Sequence, residues 1–100
     1  MTFNRTEVSS DYSASTLDYY IGVNTSLNAE PISIGLPSAT LLNDGQTYVV
    51  KDEGGEANAK NISIATNGSD TIDGQNSVVL ESPYSSIQIY CNGTNKYFIY

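Results

Sequence analysis

Eleven acidic side chains, four basic ones and no histidine limit the chemistry that this chain could carry. Asp70 and Asp73 flank two residues, while Asp52, Glu53 and Glu56 crowd a single turn. Paired carboxylates can hydrolyse glycosidic bonds or hold Ca²⁺ through their oxygens. Aspartates beside glycine and threonine are also typical of turns, where the carboxylate accepts hydrogen bonds from backbone amides. We predict turn chemistry here, with no catalytic residue and no metal site; a cation site and hydrolysis are the alternatives.

Other catalytic mechanisms also lack the residues that they need. With no histidine, a single cysteine and no glycine-rich phosphate loop, most zinc and nucleophile mechanisms have no residues to use. We therefore predict that the protein is not an enzyme and needs no cofactor. Cys91 lies in an apolar run and is predicted to be a buried small hydrophobic residue. Lys51 is predicted to pair with Asp52 or Asp73 at a strand end rather than to contact a ligand.

The charge balance restricts the partners. The net charge is −7, and only four side chains are basic. Binding to phosphate requires a surface of Lys and Arg, so we predict no nucleic-acid partner and no attraction to anionic membranes. No apolar run approaches the ~20 residues that span a bilayer, and we predict no membrane insertion.

Tyrosine is the most suggestive residue type, since eight of the ten aromatic residues are tyrosines. A tyrosine joins a rigid apolar ring to a polar tip, which suits interfaces and sugar-stacking surfaces. The simpler interpretation is that Tyr48 and several others are ordinary strand residues. Four tyrosines near the ends of elements are predicted to bind a ligand: Tyr12, Tyr19, Tyr20 and Tyr84.

Short β-branched or aromatic runs, separated by Gly, Asn and Asp, indicate the elements that position these residues. Ser, Thr and Asn make up 32 of the 100 residues, a composition that disfavours long helices. Short strands at this spacing are typical of antiparallel sandwiches. We predict an all-β fold, an antiparallel β-sandwich of about seven or eight strands. The predicted strands are Tyr19–Val23, Pro31–Leu36, Thr47–Asp52, Asn61–Ala65, Ser77–Glu81, Ser86–Cys91 and Tyr97–Tyr100, with a possible short strand at Glu7–Ser9.

Alternation and turn residues refine this prediction. Period-2 alternation in three of the runs predicts sheets with one buried face, whereas Val49-Val50 and Val78-Val79-Leu80 predict strands covered on both faces. Asn-Gly is a strong hairpin signal, so Asn92–Asn95 should join the last two strands as an antiparallel pair. One helical turn is predicted near Ala39–Leu42.

The closing segment is aromatic and apolar, which is unusual for a domain end unless it is held in a sheet or a subunit contact. One hundred residues also provide only a modest core, and ordering them nearly cancels the gain from burial. Three copies around an axis would bury more apolar surface and cover edge strands. We predict a homotrimer whose interface includes Tyr97, Phe98, Ile99 and Tyr100.

Five blocks in order resemble a known family. They are Tyr20–Ser26, Ile32–Ala39, Tyr48–Gly55 followed by Asn61–Ile64, Asp70–Gly74, and Ile89–Ile99. Together they resemble the C-terminal tip domain of bacteriophage tail fibres, other virion fibres and related trimeric adhesive fibres of bacteria. The resemblance covers residues 8–100, and residues 1–7 are interpreted as the end of a preceding fibre segment or an expression remnant.

The resemblance implies a β-sandwich that trimerises around a three-fold axis and presents loops to a host-surface receptor, often a glycan. It implies a location at a virion fibre tip or on an extracellular or periplasmic surface fibre of a bacterium. The predicted function is non-catalytic receptor binding, with a homotrimer and a host cell-surface glycan or other receptor as partners. The alternative is a trimerisation or folding cap that has no ligand of its own.

Overall fold

The computed structural model describes residues 2–100, which form two β-sheets around a shared core. The six strands of the larger sheet are Arg5–Val8 (β1), Tyr20–Val23 (β3), Thr47–Asp52 (β5), Thr71–Ile72 (β7), Ser86–Cys91 (β9) and Lys96–Ile99 (β10). The four strands of the smaller sheet are Tyr12–Ser13 (β2), Ile32–Gly35 (β4), Ile62–Ala65 (β6) and Ser77–Leu80 (β8). Single turns of 3₁₀ helix occur at Thr25–Leu27 and Ala39–Leu41.

Up to β9, successive strands alternate between the two sheets. The order in the larger sheet is β1-β3-β5-β9-β10-β7, and in the smaller sheet it is β2-β4-β6-β8. Through β6, each connection crosses to the other sheet, and the chain returns to a given sheet in the same direction. Hence β1, β3 and β5 run parallel to one another, as do β2, β4 and β6.

The prediction of a purely antiparallel sandwich is therefore wrong in its pairing, although the all-β class and the two sheets are confirmed. Within the described residues, the antiparallel strand pairs are β5–β9, β9–β10 and β6–β8, and an isolated antiparallel bridge joins Ile72 to Gln75. Turn residues mark where a strand ends, but they do not say which sheet the next strand joins. Parallel neighbours need a crossover between them, and here that crossover is a strand of the opposite sheet.

The core is built from the inward-facing residues of both sheets. Ile32, Ile34, Ile62 and Ile64 of the smaller sheet are almost fully buried, as the alternation predicted. The largest buried side chains of the other sheet belong to Tyr48 and Tyr97.

Both core tyrosines satisfy their hydroxyl groups. Tyr48 donates to the Ser15 carbonyl at 2.8 Å, and Tyr97 donates to the Pro37 carbonyl at 2.7 Å. Burial, reinforced by nearby titratable groups, raises the pKa of Tyr48 to about 12 and raises the pKa of Tyr97 further. These two rings are thus hydrogen-bonded parts of the interior.

The predicted strands are largely confirmed, with β5 and β9 having the predicted bounds. Two two-residue strands, β2 and β7, were missed because they are too short to show a period. The first strand starts at Arg5, before the predicted domain start at residue 8. The prediction that two valine runs are covered on both faces is wrong, because Val49 is half-buried and Val79 is 43% exposed.

Turn chemistry explains two of the sharpest reversals. Asn92–Asn95 joins β9 to β10 as predicted, and the Asn92 side-chain oxygen accepts hydrogen bonds from the amides of Thr94, Asn95 and Lys96. Asp73 and Gly74 both have positive φ, at 48° and 85°, in the turn after β7. Paired positive φ values are the requirement of the tight turns for which Asp-Gly is favoured. The predicted helical turn near Ala39 is also present.

Candidate functional site

The Asp52 carboxylate, a candidate for chemistry in the sequence, joins three segments of the chain. Asp52 ends β5 and is fully buried. One oxygen accepts from the Thr25 hydroxyl at 2.8 Å and the Gly55 amide at 3.0 Å. The other accepts from the amides of Ala57 at 3.0 Å and Tyr84 at 2.9 Å. Four donors saturate the carboxylate, so its role is to fix these loops.

The pKa of Asp52 follows from the same contacts. Burial acts to raise the pKa, but the hydrogen bonds from Thr25 and from the amides of Tyr84, Ala57 and Gly55 together lower it below the ordinary value. Hydrogen bonds to the charged form favour that form. Asp52 is therefore held as a structural anion.

The other predicted carboxylates also serve the backbone. Asp70 accepts from the Ala39 amide at 2.9 Å, and Asp73 accepts from the Ile99 amide at 3.2 Å. These bonds are consistent with the turn interpretation. Within residues 2–100, no group of three or more His, Cys, Asp or Glu residues is placed to hold a metal ion. No helix in the same part of the chain is long and apolar enough to cross a membrane.

Asp18 forms a further hydrogen-bond network, which was not predicted from the sequence. Its carboxylate accepts from the Thr6 hydroxyl at 2.7 Å, the Tyr12 hydroxyl at 2.6 Å and the Ser15 amide at 2.9 Å. Burial acts to raise the pKa of Asp18, and these hydrogen bonds outweigh it, so the pKa is lowered. The only local signal was an aspartate three residues after a serine between two predicted strands.

The four tyrosines predicted to bind a ligand lie in three places. Tyr12 is half-buried and its hydroxyl is bound to Asp18. Tyr84 is exposed, with φ of 60°, and its ring lies against Gly55 and below the Lys51 ammonium, 5.9 Å from the ring centroid. Tyr19 and Tyr20 are neighbours near the larger sheet's outer surface, 4.6 Å apart between centroids.

The four residues predicted for the trimer interface also separate. Tyr97 is fully buried inside the domain, so any partner would contact only the other three. Phe98 and Tyr100 approach Tyr90, with ring centroids 5.4 Å and 5.5 Å from the Tyr90 centroid. Ile99 is 41% exposed.

Lys51 does not form the predicted ion pair with Asp52 or Asp73. Its ammonium group donates instead to the Tyr84 carbonyl. Within residues 2–100, the ion pairs are Arg5 with Glu7, Arg5 with Glu53, and Lys60 with Glu56. Four uncharged donors already occupy the acceptor positions of the Asp52 carboxylate, so no acceptor position remains for the Lys51 ammonium.

Strand register places the outward residues of the larger sheet in rows. One row is Arg5, Tyr20, Val49 and Gln88. A second row is Glu7, Gly22, Lys51 and Ser86. A third row is Thr47, Tyr90 and Phe98.

Six aromatic rings lie on and around these rows and are hereafter called the aromatic face: Phe3, Tyr19, Tyr20, Tyr90, Phe98 and Tyr100. Phe3 stacks on Tyr19 at 4.2 Å. The ring contacts fall into two clusters, Phe3 with Tyr19 and Tyr20, and Tyr90 with Phe98 and Tyr100. The pKa of Tyr19 is raised by burial and, to a smaller extent, by Tyr100 and Tyr20.

A groove of about 410 Å³ crosses the first two rows. Tyr20, Val49 and Gln88 line it along the first row, and Gly22, Lys51 and Ser86 line it along the second. A second, more open hollow of about 570 Å³ lies beside Phe3 and Tyr19. The outer surface of this sheet thus combines exposed rings with a groove that contains both apolar and charged side chains.

No family model matches the chain, and no curated protein is significantly similar to it.

Proposed function

We propose that this domain is a non-catalytic binding module, the tip of a trimeric fibre, that attaches to a host-surface ligand, most simply a glycan. The observation that carries the proposal is the aromatic face. Tyr20, Tyr90 and Tyr100 are 41%, 38% and 57% exposed on one side of one sheet. Exposed ring clusters rimmed by polar groups are characteristic of an interaction site.

Tyrosine suits this task physically. Each ring offers a flat apolar surface that the C–H face of a sugar can cover, and each hydroxyl offers a donor and an acceptor at its edge. The ring has few rotatable bonds, so little conformational entropy is lost when a ligand is bound. The polar neighbours Gln88 and Ser86 lie on the same face and supply hydrogen bonds to sugar hydroxyls.

The state of the carboxylates supports binding over hydrolysis. A glycosidase needs two carboxylates facing each other across a groove. Asp52, Asp70 and Asp73 instead accept hydrogen bonds from backbone amides in separate turns. The net charge of −7 also favours a partner other than nucleic acid.

The fibre context comes from the resemblance in five sequence blocks, which also supplies the homotrimer and the location on a virion or bacterial surface fibre. Three identical shallow sites at one tip suit glycan attachment, because avidity multiplies a weak single-site affinity. The resemblance implied binding by loops; the chemistry of this chain favours the sheet face instead.

One observation favours a second candidate, a trimerisation or folding cap without a ligand. Tyr90, Phe98 and Tyr100 cluster beside the last strand, and Ile99 is exposed at its end. Such a cluster would pack equally well between subunits.

A glycan array combined with light scattering separates the two candidates. The wild-type protein is expected to be a trimer that binds a subset of host-surface glycans, and the double variant Tyr20→Ala/Tyr90→Ala is expected to remain trimeric and lose that binding. A variant that falls apart into monomers, together with a wild type that binds no glycan, would replace the binding proposal with the cap.

A further inference from the structure

The groove on the larger sheet has an aromatic wall and a polar end. Tyr20, Val49 and Gln88 lie side by side on three neighbouring strands, about 5 Å from one strand to the next. Lys51 is one step further along β5 on the same face. Tyr20 and Lys51 are thus diagonal neighbours on this face, and both line the groove.

Gly22 makes room for the charged rim of this groove. A Cβ atom at position 22 would overlap the Glu53 carboxylate, so the missing side chain lets Glu53 lie over the sheet. There Glu53 pairs with Arg5, whose Nε lies 3.0 Å from a Glu53 oxygen. Arg5 is also paired with Glu7 at 3.2 Å. The positive charge of Arg5 is therefore compensated within the protein.

Lys51 is in a different electrostatic state. No carboxylate forms an ion pair with Lys51 among residues 2–100, and its contacts are the Tyr84 carbonyl and the Tyr84 ring. An ammonium group has three donors, so it retains capacity toward a ligand. Two of the four basic residues of the chain, Arg5 and Lys51, line this groove together with the Glu53 carboxylate, which pairs with Arg5.

We infer that this groove binds a saccharide that carries a carboxylate, with the sugar ring on Tyr20 and the carboxylate on Lys51. The inference rests on the proposed glycan-binding function and specifies its ligand class. Gln88 and Ser86 hydrogen-bond the ring hydroxyls, and the Arg5–Glu53 pair closes the end of the groove beside Gly22. A charge-assisted hydrogen bond is about twice as strong as a neutral one, so the carboxylate determines which sugar is preferred.

Calorimetric titration with a uronic-acid oligosaccharide, and with the same oligosaccharide after reduction of its carboxyl groups, tests this inference in the full chain. The wild type is expected to bind the acidic form about tenfold more tightly, the effect of one hydrogen bond to a charged group. Lys51→Gln should remove that preference, whereas Lys51→Arg should keep it. Lys96→Gln makes the same charge change on β10, outside the groove lining, and should leave the preference intact.

Equal affinity of the wild type for the two forms, or a preference that survives in Lys51→Gln, would overturn the inference. Salt provides an independent check that needs no variant: the preference should shrink as ionic strength rises, because exposed charges are screened. A wild type that binds neutral glycans through Tyr20 but ignores the carboxylate would refute the acidic ligand and leave the binding function standing. A wild type that binds no glycan of either kind on a broad array would refute both.

Discussion

The outer surfaces of the two sheets differ in residue composition, although the inner surfaces of both are apolar. Inside, both sheets contribute large apolar side chains, mostly isoleucine with valine and tyrosine from the larger sheet and isoleucine with leucine from the smaller one. Outside, the larger sheet carries the aromatic face and a charged groove. The smaller sheet carries only small residues along its matching rows, Ser33, Ser63 and Val79 in one and Gly35, Ala65 and Ser77 in the next.

This difference separates what folding requires from what function requires. A serine or alanine on an outer row satisfies the sheet, as the smaller sheet demonstrates. Ring pairs contribute about 0.5–1.5 kcal/mol each, but exposed rings also leave apolar surface in water and increase the tendency of a domain to associate. We therefore assign the aromatic residues of the larger sheet to the proposed ligand, and the following changes break or sharpen that contrast.

The largest effect on stability is expected from a substitution that destabilises the whole domain, and with it the outer surfaces of both sheets. Asp52→Asn removes the negative charge and replaces one carboxylate oxygen with an N–H₂ group. Each oxygen accepts two of the four hydrogen bonds, so two donors lose their acceptor. Because a buried donor left unpaired costs about 1–3 kcal/mol, we expect the free energy of unfolding to fall by about 3 kcal/mol, measured by urea denaturation. Asp73→Asn is the matched control, since it keeps a residue that tolerates positive φ and loses one hydrogen bond at most. Equal losses in the two variants would contradict the role assigned to Asp52.

Acid should weaken the fold by the same mechanism. The pKa values of Asp18 and Asp52 are lowered in the folded chain, so protons bind the unfolded chain more tightly. Their contribution to stability is complete above the ordinary aspartate pKa of about 3.9 and is lost as the pH falls through the lower folded values. Urea midpoints should therefore be flat from pH 7 to pH 5 and drop below about pH 4. Asp52→Asn should show a shallower drop, and an unchanged pH profile in that variant would count against the account.

A smaller effect should sharpen the contrast by altering one face alone. Gly22→Ala forces the Glu53 carboxylate away from Arg5, but the displaced group is the flexible end of a side chain. Exposed ion pairs contribute about 0–1 kcal/mol, so stability should change by less than about 1 kcal/mol. Ligand affinity at the groove should nonetheless fall severalfold, because the added methyl group and the displaced carboxylate enter the site. A large loss of stability would show that this pair holds the sheet together.

The smallest effect is expected on the serine-lined sheet. The double variant Ser33→Ala/Ser63→Ala removes exposed or half-buried hydroxyl groups and should alter stability by no more than about 0.5 kcal/mol. Glycan binding, measured by calorimetry under the conditions used for wild type, should be unchanged. Loss of binding in this variant would move the ligand to the other face.

Local sequence patterns predicted what is local in this fold. Alternating isoleucines identified the buried faces of β4, β6 and β9, and Asn92-Gly93 identified the final hairpin. Pairing direction was not predictable this way, because it depends on which sheet each strand joins. A turn-forming residue carries no information about that choice.

The candidate site was only partly visible in the sequence. Tyr20 was identified, but the groove also needs Arg5 and Glu53, which are 48 positions apart in the chain and meet only through sheet order. The burial of Tyr97 could have been predicted from the alternation of buried and exposed residues. The predicted hairpin pairs Tyr97 with Cys91, which shares the inward face of β9 with Ile87 and Ile89.

The most direct test of the central claim is to map a bound glycan by amide chemical-shift changes in the ¹⁵N-labelled protein. If the aromatic face is the binding surface, the changes should centre on Tyr20–Gly22, Val49–Lys51 and Gln88–Tyr90, with Ser33, Ser63 and Ser77 unmoved. Changes centred on the serine-lined strands, with the amides around Tyr20 unmoved, would contradict it.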